Sequence, residues 1–442
     1  MLPSRRVYQL LLLGTGIGLF ATLLGGNDVC PSLLSVAIGS TLVWDSVVLG
    51  LALWDGQRVK GRRVEVVRDC PSRLSIGRDN LVRLTVRSGD RPAILQIRDY
   101  YPEAFTVNPP YLQVGLAANS EQVLTYTVFP AERGEYHWGN IQVRQLGPWG
   151  LSWHDWHSPH QQTVEVYPDL LGLQALSIRL TLQTTGNIRR AKRLGMGTEF
   201  AELREYSMGD DPRLIDWKAT ARRDRPLLRV LEPEQEQTLI ILLDRGRLMT
   251  AQVKGLARFD WGLNAALSLA LAGLKRGDRV GIGVFDRLMH VWMAPERGQS
   301  QLSKLVERLT SIQPVLLEPD YLGAVTRMTH QQSRRALVVL LTDLVDQTAS
   351  AELLLAMASL TPRYLPFCVT LRDPQVDIQA QTLTQDVANT YARAVALDLL
   401  TQRQIALSTL KQKGVLTLDA PAHQISEQLV DRYLHLKSRN RL

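Results

Sequence analysis

Two apolar runs near the amino terminus limit the fold of this chain more than any other feature. Val7 to Leu24 is almost uninterrupted, and a second run extends from about Leu33 to Trp54. GGNDVCP lies between them and is rich in helix breakers. At about 1.5 Å per residue, a helix over either run covers most of a hydrocarbon core. The spacing predicts a transmembrane helical hairpin over 1–56, with spans at about 7–24 and 33–54. A signal peptide is the rival reading of the first run, because Arg5 and Arg6 precede it. A second span so close behind, with no A-x-A-like site before it, argues for retention. Arg58, Lys60, Arg62 and Arg63 follow the second run, while the connecting turn holds no Lys or Arg. The positive-inside rule then puts both ends, and everything beyond about residue 57, in the cytoplasm. Asp45 falls inside the second span. A mid-membrane acid can mark a proton route, but one acid in two spans makes a poor transporter. The expected role is a protonated group bonded to Thr15, Thr22 or another hairpin. Gly14 and Gly18 are spaced for close helix contact, within the hairpin or in a homo-oligomer.

The 442 residues allow two or three domains. A net charge of +8 suits an anionic membrane face or an acidic partner, and is too diffuse to argue specific nucleic-acid binding. Cys30, Cys70 and Cys368 are sparse and odd in number, which argues against a disulfide framework and for a reducing compartment.

From Arg62 to Tyr167 apolar residues alternate with period two. VEVV, LVRLTV, AILQIRD, VLTYTVFP, IQVRQL and TVEVYP are separated by turns such as SGDR, NPP and AERGEY. The pattern predicts an antiparallel β-sandwich over 57–170. His154, His157 and His160 stand near Asp155, a spacing that suggests zinc. On a strand, however, His157 would face away from the other two, and the expectation is a solvated loop.

The stretch 171–236 reads as a linker carrying an unusual charge mixture. Arg189, Arg190, Lys192 and Arg193 form a basic run. GTEFAELREYSMGDDPRLIDWKATAR follows at 197–222, with Asp210-Asp211-Pro212 as a helix start and a helix expected over Pro212 to Ala221. Arg213 and Asp216 would then pair at i,i+3. Three roles compete for the segment. It is a salt-bridged clasp between domains, a docking epitope for a partner protein, or a catalytic cluster in which Asp210, Asp211 and Asp216 converge on a divalent metal. The interleaved arginines and the absence of histidine weigh against the third.

From Gln237 strands and helices alternate. TLIILLD, RVGIGVFD, 288–293, ALVVLLTD and YLPFCVTL read as strands. Helices are expected at Phe259–Lys275, Gln301–Ile312 and Asp320–Gln331. This predicts a mostly parallel sheet covered on both faces over 237–442. The tail adds a long helix ended by Gly414, the strand GVLTLDA and a basic helix. Asp244 and Asp343 end two strands at the edge where such sheets bind ligands.

These motifs carry two resemblances. Gly197, Glu199, Phe200, Leu203, Arg204, Tyr206, Gly209, Asp210, Asp211, Arg213, Ile215, Asp216, Trp217, Ala221 and Arg222 fit the signature of domain-of-unknown-function family 58, a prokaryotic group of membrane-anchored proteins. Pro148, Gly150 and Leu151 fit that family's dPFGL stretch, with Trp149 in place of Phe. The region from Gln237 resembles a von Willebrand factor A domain. Such domains often hold Mg²⁺ through D-x-S-x-S, a later Thr and an Asp. Here Gly246 and Leu248 replace the serines, Arg245 and Arg247 flank the site, and Pro319-Asp320 stands near the threonine position. Only Asp244 and Asp343 fit, as an incomplete metal site.

The fold class expected is therefore multidomain. It comprises a two-helix transmembrane hairpin, an antiparallel, immunoglobulin-like β-sandwich and an α/β von Willebrand factor A-like domain with a mostly parallel sheet. The family resemblance implies a non-enzymatic adaptor without a resident cofactor on the bacterial inner membrane. Its partners would be a MoxR-type AAA+ ATPase and, through the hairpin, membrane lipid. Docking is expected at Glu199, Arg204, Tyr206, Asp210, Asp211, Arg213, Asp216, Trp217 and Arg222. The alternatives are a metal-dependent hydrolase using the acidic cluster, and electrostatic binding of nucleic acid or lipid through 189–193 and 222–229.

Overall fold

In the computed structural model, residues 2–24, 31–61, 63–187, 199–223, 225–232, 237–345, 350–382 and 386–438 are described. The chain forms two compact units, Met1–Tyr167 and Pro168–Leu442. Residues 25–30, which include Cys30 and were expected to form a turn, the basic run 189–193 and Gly197 lie outside the described residues.

Helices α1 (Arg5–Leu24) and α2 (Pro31–Lys60) begin the first unit. Among their described side chains, apolar ones mostly face outward, including Leu12, Ile17, Phe20, Leu42, Val43 and Val47. Among the described residues one helix segment, Ile38–Lys60, is long and apolar enough to cross a membrane. Gly14 is the point of close approach between the two helices. A Cβ there would lie 2.2 Å from the Trp44 ring, and Trp44 Nε1 donates to the Leu10 carbonyl at 3.1 Å. Of the partners expected for Asp45, Thr15 bonds its hydroxyl to the Leu12 carbonyl one turn back, at 3.0 Å, and the Thr22 side chain lies outside the described residues.

The rest of this unit is a β-sandwich. One sheet is antiparallel, in the order Leu2–Pro3, Ser152–Ser158, Ile141–Leu146, Ala93–Asp99 and Leu112–Leu116. A second antiparallel sheet joins Glu65–Asp69, Asn80–Arg87, Glu121–Pro130 and Phe105–Asn108. A third, of three strands, contains one parallel pairing, between Arg73–Ser75 and Glu165–Tyr167. Inward residues alternate along the strands. Leu95, Ile97, Val82, Leu84, Val143 and Trp138 form the core. The histidine stretch belongs here and corrects the expected loop: Ser152–Ser158 is a strand, with His154 buried and His157 exposed. Burial lowers the pKa of His154.

The second unit is built on a six-stranded sheet in the order Met289–Glu296, Arg279–Phe285, Thr238–Asp244, Leu337–Thr342, Leu365–Arg372 and Leu416–Pro421. Only the first pairing is antiparallel. Both faces are covered, which explains strands that are apolar throughout. Phe259, Leu263 and Leu267 of helix Arg258–Lys275 pack on one face with Tyr433 of the last helix. Tyr321, Met328, Met357 and Leu410 cover the other face. The sequence reading misplaced one element. Leu170–Asn187, assigned to the linker, is a helix whose Leu173 and Leu180 are buried in this core. Their seven-residue spacing is a helical repeat.

Candidate functional site

The signature folds as a self-contained β-hairpin with an excursion. Glu199–Glu205 pairs antiparallel with Leu227–Glu232. Between them lie a 3₁₀ turn, Pro212–Leu214, and a short helix, Trp217–Arg223. The single helix expected over 212–221 is broken, because Asp216 acts as a cap. Its Oδ1 accepts from the amides of Lys218 and Ala219 at 3.1 and 3.0 Å, and that geometry needs a non-helical backbone before Trp217. The backbone amide of Asp216 donates to the Leu227 carbonyl of the return strand, at 2.9 Å.

The acids do not converge. Asp210 pairs with Arg204 at 2.5 Å and accepts from the Ser207 amide. Asp211 caps the 3₁₀ turn through the Arg213 amide at 2.9 Å. Asp216 pairs with Arg229 at 2.8 Å, not with Arg213. Glu205 pairs with Arg225. The Ser207 amide and then Arg204 hold Asp210 below the ordinary carboxylate range, and Arg229 and the Ala219 amide do the same for Asp216. Both are anions at neutral pH, so neither is set up as a general acid. The side chains of Glu199 and Phe200 lie outside the described residues, while Arg204 and Tyr206 are half-buried and Arg213 and Arg222 exposed. Trp217 is 70% exposed, and Met208 is fully exposed in the turn before it.

The second candidate lies at the carboxyl ends of the parallel strands. Asp244 is fully buried. Its Oδ2 accepts from the Thr342 hydroxyl at 2.6 Å and the Tyr321 hydroxyl at 3.0 Å, and its Oδ1 accepts from the Gly246 amide at 2.7 Å. Asp343 is held by two arginines. Arg258 Nη1 lies 2.5 Å from one carboxylate oxygen and Arg403 Nη1 2.7 Å from the other. Arg403 also binds Asp419 through Nε and Nη2, at 2.9 and 2.8 Å. The arginines that the sequence placed beside the site are elsewhere: Arg245 pairs with Asp286 and Arg247 with Glu318. This donor set does not fit Mg²⁺, which needs about six oxygens in near-octahedral array. Both Asp343 oxygens are committed to guanidinium groups, and Tyr321, which follows the Pro319-Asp320 pair expected near the threonine position, turns its hydroxyl to Asp244. Among the described residues no group of three His, Cys, Asp or Glu side chains is arranged to hold a metal.

Burial raises the Asp244 pKa to about 6, against the opposing hydrogen bonds from Thr342, Gly246 and Tyr321. A raised acid keeps its proton longer in the folded than in the unfolded chain. Its contribution to stability therefore falls as pH rises from about 4 to about 6, and stays lost above that. Asp244→Asn abolishes this dependence. Between pH 4.5 and 7 the stability gap should move in favour of the variant by about 2 kcal/mol, measured by urea denaturation. A gap that does not change with pH contradicts this account.

A third constellation was not found from sequence. Asp55, near the end of α2, is buried, and its carboxylate accepts from the amides of Trp149 and Leu151, both at 3.0 Å. The GPWGL stretch, residues 147–151, therefore wraps the helix end. A Cβ on Gly147 would lie 2.2 Å from the Asp55 carboxylate. Gly150 has φ +72°, where a side chain is strained. Trp149 packs on Trp54 with ring centres 4.7 Å apart, and Arg58 stacks 3.6 Å from the centre of the Trp54 ring. Ser4 closes the joint, its amide donating to the Leu151 carbonyl and its hydroxyl to that of Gly150. The dPFGL-like motif was visible in the sequence; its carboxylate partner was not.

Uncharacterized proteins of Mycobacterium bovis and Mycobacterium tuberculosis are similar to this chain, at 21% identity over 210 residues. The match takes in 46% of this chain and spans 65% of those relatives' own length. Among solved structures, the conserved hypothetical protein BatB from Bacteroides thetaiotaomicron aligns with 46% of this chain and all of its own, at 13% identity and a TM-score of 0.31. A CARDB domain from Pyrococcus furiosus aligns with 24% of this chain and 93% of its own, at 16% identity and a TM-score of 0.18. Scores this low carry no argument about fold. The family comparison falls on the signature hairpin and most of the parallel sheet: residues 202–377 match the family described as protein of unknown function DUF58.

Proposed function

We propose that this protein is a membrane-anchored adaptor that docks a MoxR-type AAA+ ATPase at the cytoplasmic face of a bacterial inner membrane. In this reading α1 and α2 span the membrane twice, with both soluble units in the cytoplasm. The sandwich is an immunoglobulin-like spacing module, and the parallel-sheet unit is a von Willebrand factor A-like domain without its metal. The outward apolar faces of α1 and α2 support the anchor, as do the arginines at both helix ends. The choice of ATPase rests on the family resemblance.

One observation carries the docking role. Trp217 and Met208 stand exposed on a hairpin whose Asp210 and Asp216 are already satisfied by their own neighbours. A charge-paired platform presenting an exposed tryptophan is what a protein-binding hot spot requires. A catalytic acid cluster requires converging, uncommitted carboxylates instead.

Trp217→Ala tests this more cleanly than Asp216→Asn, because Asp216 also caps a helix. In nanodiscs, full-length Trp217→Ala should bind the ATPase about 30-fold more weakly, corresponding to ~2 kcal/mol, with unchanged thermal stability. Equal affinity for variant and wild type rules this epitope out.

A further inference from the structure

A cavity of about 590 Å³ opens beside the joint between the helices and the sandwich. Its wall carries four arginines, Arg6, Arg58, Arg63 and Arg91, against one acid, Asp90. Among the described residues none of the four guanidinium groups has an ion-pair partner. Elsewhere in this unit arginines do find acids, as Arg68 does with Asp99 and Arg87 with Glu121. Four unneutralised guanidiniums around one cavity constitute an anion site, and arginine suits phosphate because its fork donates two parallel hydrogen bonds.

The position of the cavity selects the source of the phosphate. Arg6 immediately precedes Val7, where the first apolar run begins, and Arg58 lies in the last turn of α2. Both guanidiniums therefore sit where the apolar helices end. Trp54 and Trp149 stack under Arg58, and tryptophan belongs at headgroup level. Val59, Val64 and Leu116 supply an apolar wall. We infer that this cavity binds the phosphate of an anionic phospholipid headgroup, with Arg6 and Arg58 reaching it from the membrane side and Arg63 and Arg91 from the sandwich side. The inference rests on the membrane reading above.

The test uses the full chain. Carbonate extraction of membranes comes first: release of the chain overturns the anchor, and the lipid assignment with it. With the chain retained, native mass spectrometry from mixed micelles compares bound phosphatidylglycerol with phosphatidylcholine. Wild type should prefer phosphatidylglycerol at least about tenfold, the effect of ~1.4 kcal/mol. Arg63→Gln with Arg91→Gln should erase that preference. Arg83→Gln with Arg98→Gln, the same charge change on exposed strand positions outside the cavity, should leave it intact. Equal loss in both pairs, or no preference in wild type, overturns the cavity site while leaving the anchor standing. Displacement of phosphatidylglycerol by inorganic phosphate at equal concentration makes it a site for soluble phosphate and overturns the lipid assignment.

Discussion

Arg403→Met is expected to destabilise the parallel-sheet unit by about 3–5 kcal/mol, the typical cost of removing one partner from a buried ion pair. Arg403 comes from the long helix Val387–Gln412 and ties together two strand ends, through Asp343 after one and Asp419 on the edge strand. Its side chain and that of Asp343 are both buried. Without the guanidinium, Asp419 keeps the Thr370 hydroxyl at 2.8 Å and a longer contact to Arg372 at 3.6 Å. Among the described residues Asp343 then keeps Arg258 as its charged partner. The penalty therefore comes from stranded carboxylates, and Arg403→Met combined with Asp419→Asn should recover part of it. Hydrogen exchange of the strands Leu337–Thr342 and Leu365–Arg372 reads the effect directly. A loss below about 1 kcal/mol would contradict a network that bears on stability.

Asp55→Ala is expected to free the loop 147–151 from the end of α2, at a cost of about 3–4 kcal/mol. Two hydrogen bonds to a charged acceptor are lost, each of order 1.5–3 kcal/mol, and the surrounding loop relaxes to offset part of that. The amides of Trp149 and Leu151 become orphaned donors. Their exchange should accelerate by at least about a hundredfold, equivalent to ~2.7 kcal/mol, while strand Ala93–Asp99 keeps its protection. Asp55→Asn, which retains one acceptor oxygen, should fall between the two. Unchanged exchange in Asp55→Ala would mean that the stacking of Trp54 on Trp149 holds the joint alone.

The parallel-sheet unit was the most legible part of the chain, because its signals are local. TLIILLD and ALVVLLTD are buried on both faces, so the apolar run is the strand. Asp320, where this helix was expected to begin, caps it through the Gly323 amide. The sandwich was half legible. Ser152–Ser158 and Gly134–Trp138 are strands rich in His, Trp and polar residues, with too weak an alternation to read. The sites were least legible, because their partners are far apart in sequence. Asp55 meets an amide 94 residues later, and Arg403 meets an aspartate 60 residues earlier. The local polarity of a helix does not announce such meetings. In the signature, residue types gave the charge mixture correctly but not its pairing, since Arg229 on the return strand competes for Asp216 and wins.

Sealing Asp244 with hydroxyls and Asp343 with arginines removes a control handle. Where a divalent ion completes such a surface, chelation can open or close it. Here the chain's own groups fill the place: Thr342, Tyr321 and the Gly246 amide occupy Asp244, and Arg258 and Arg403 occupy Asp343, so closing this end of the sheet asks for no ion from solution.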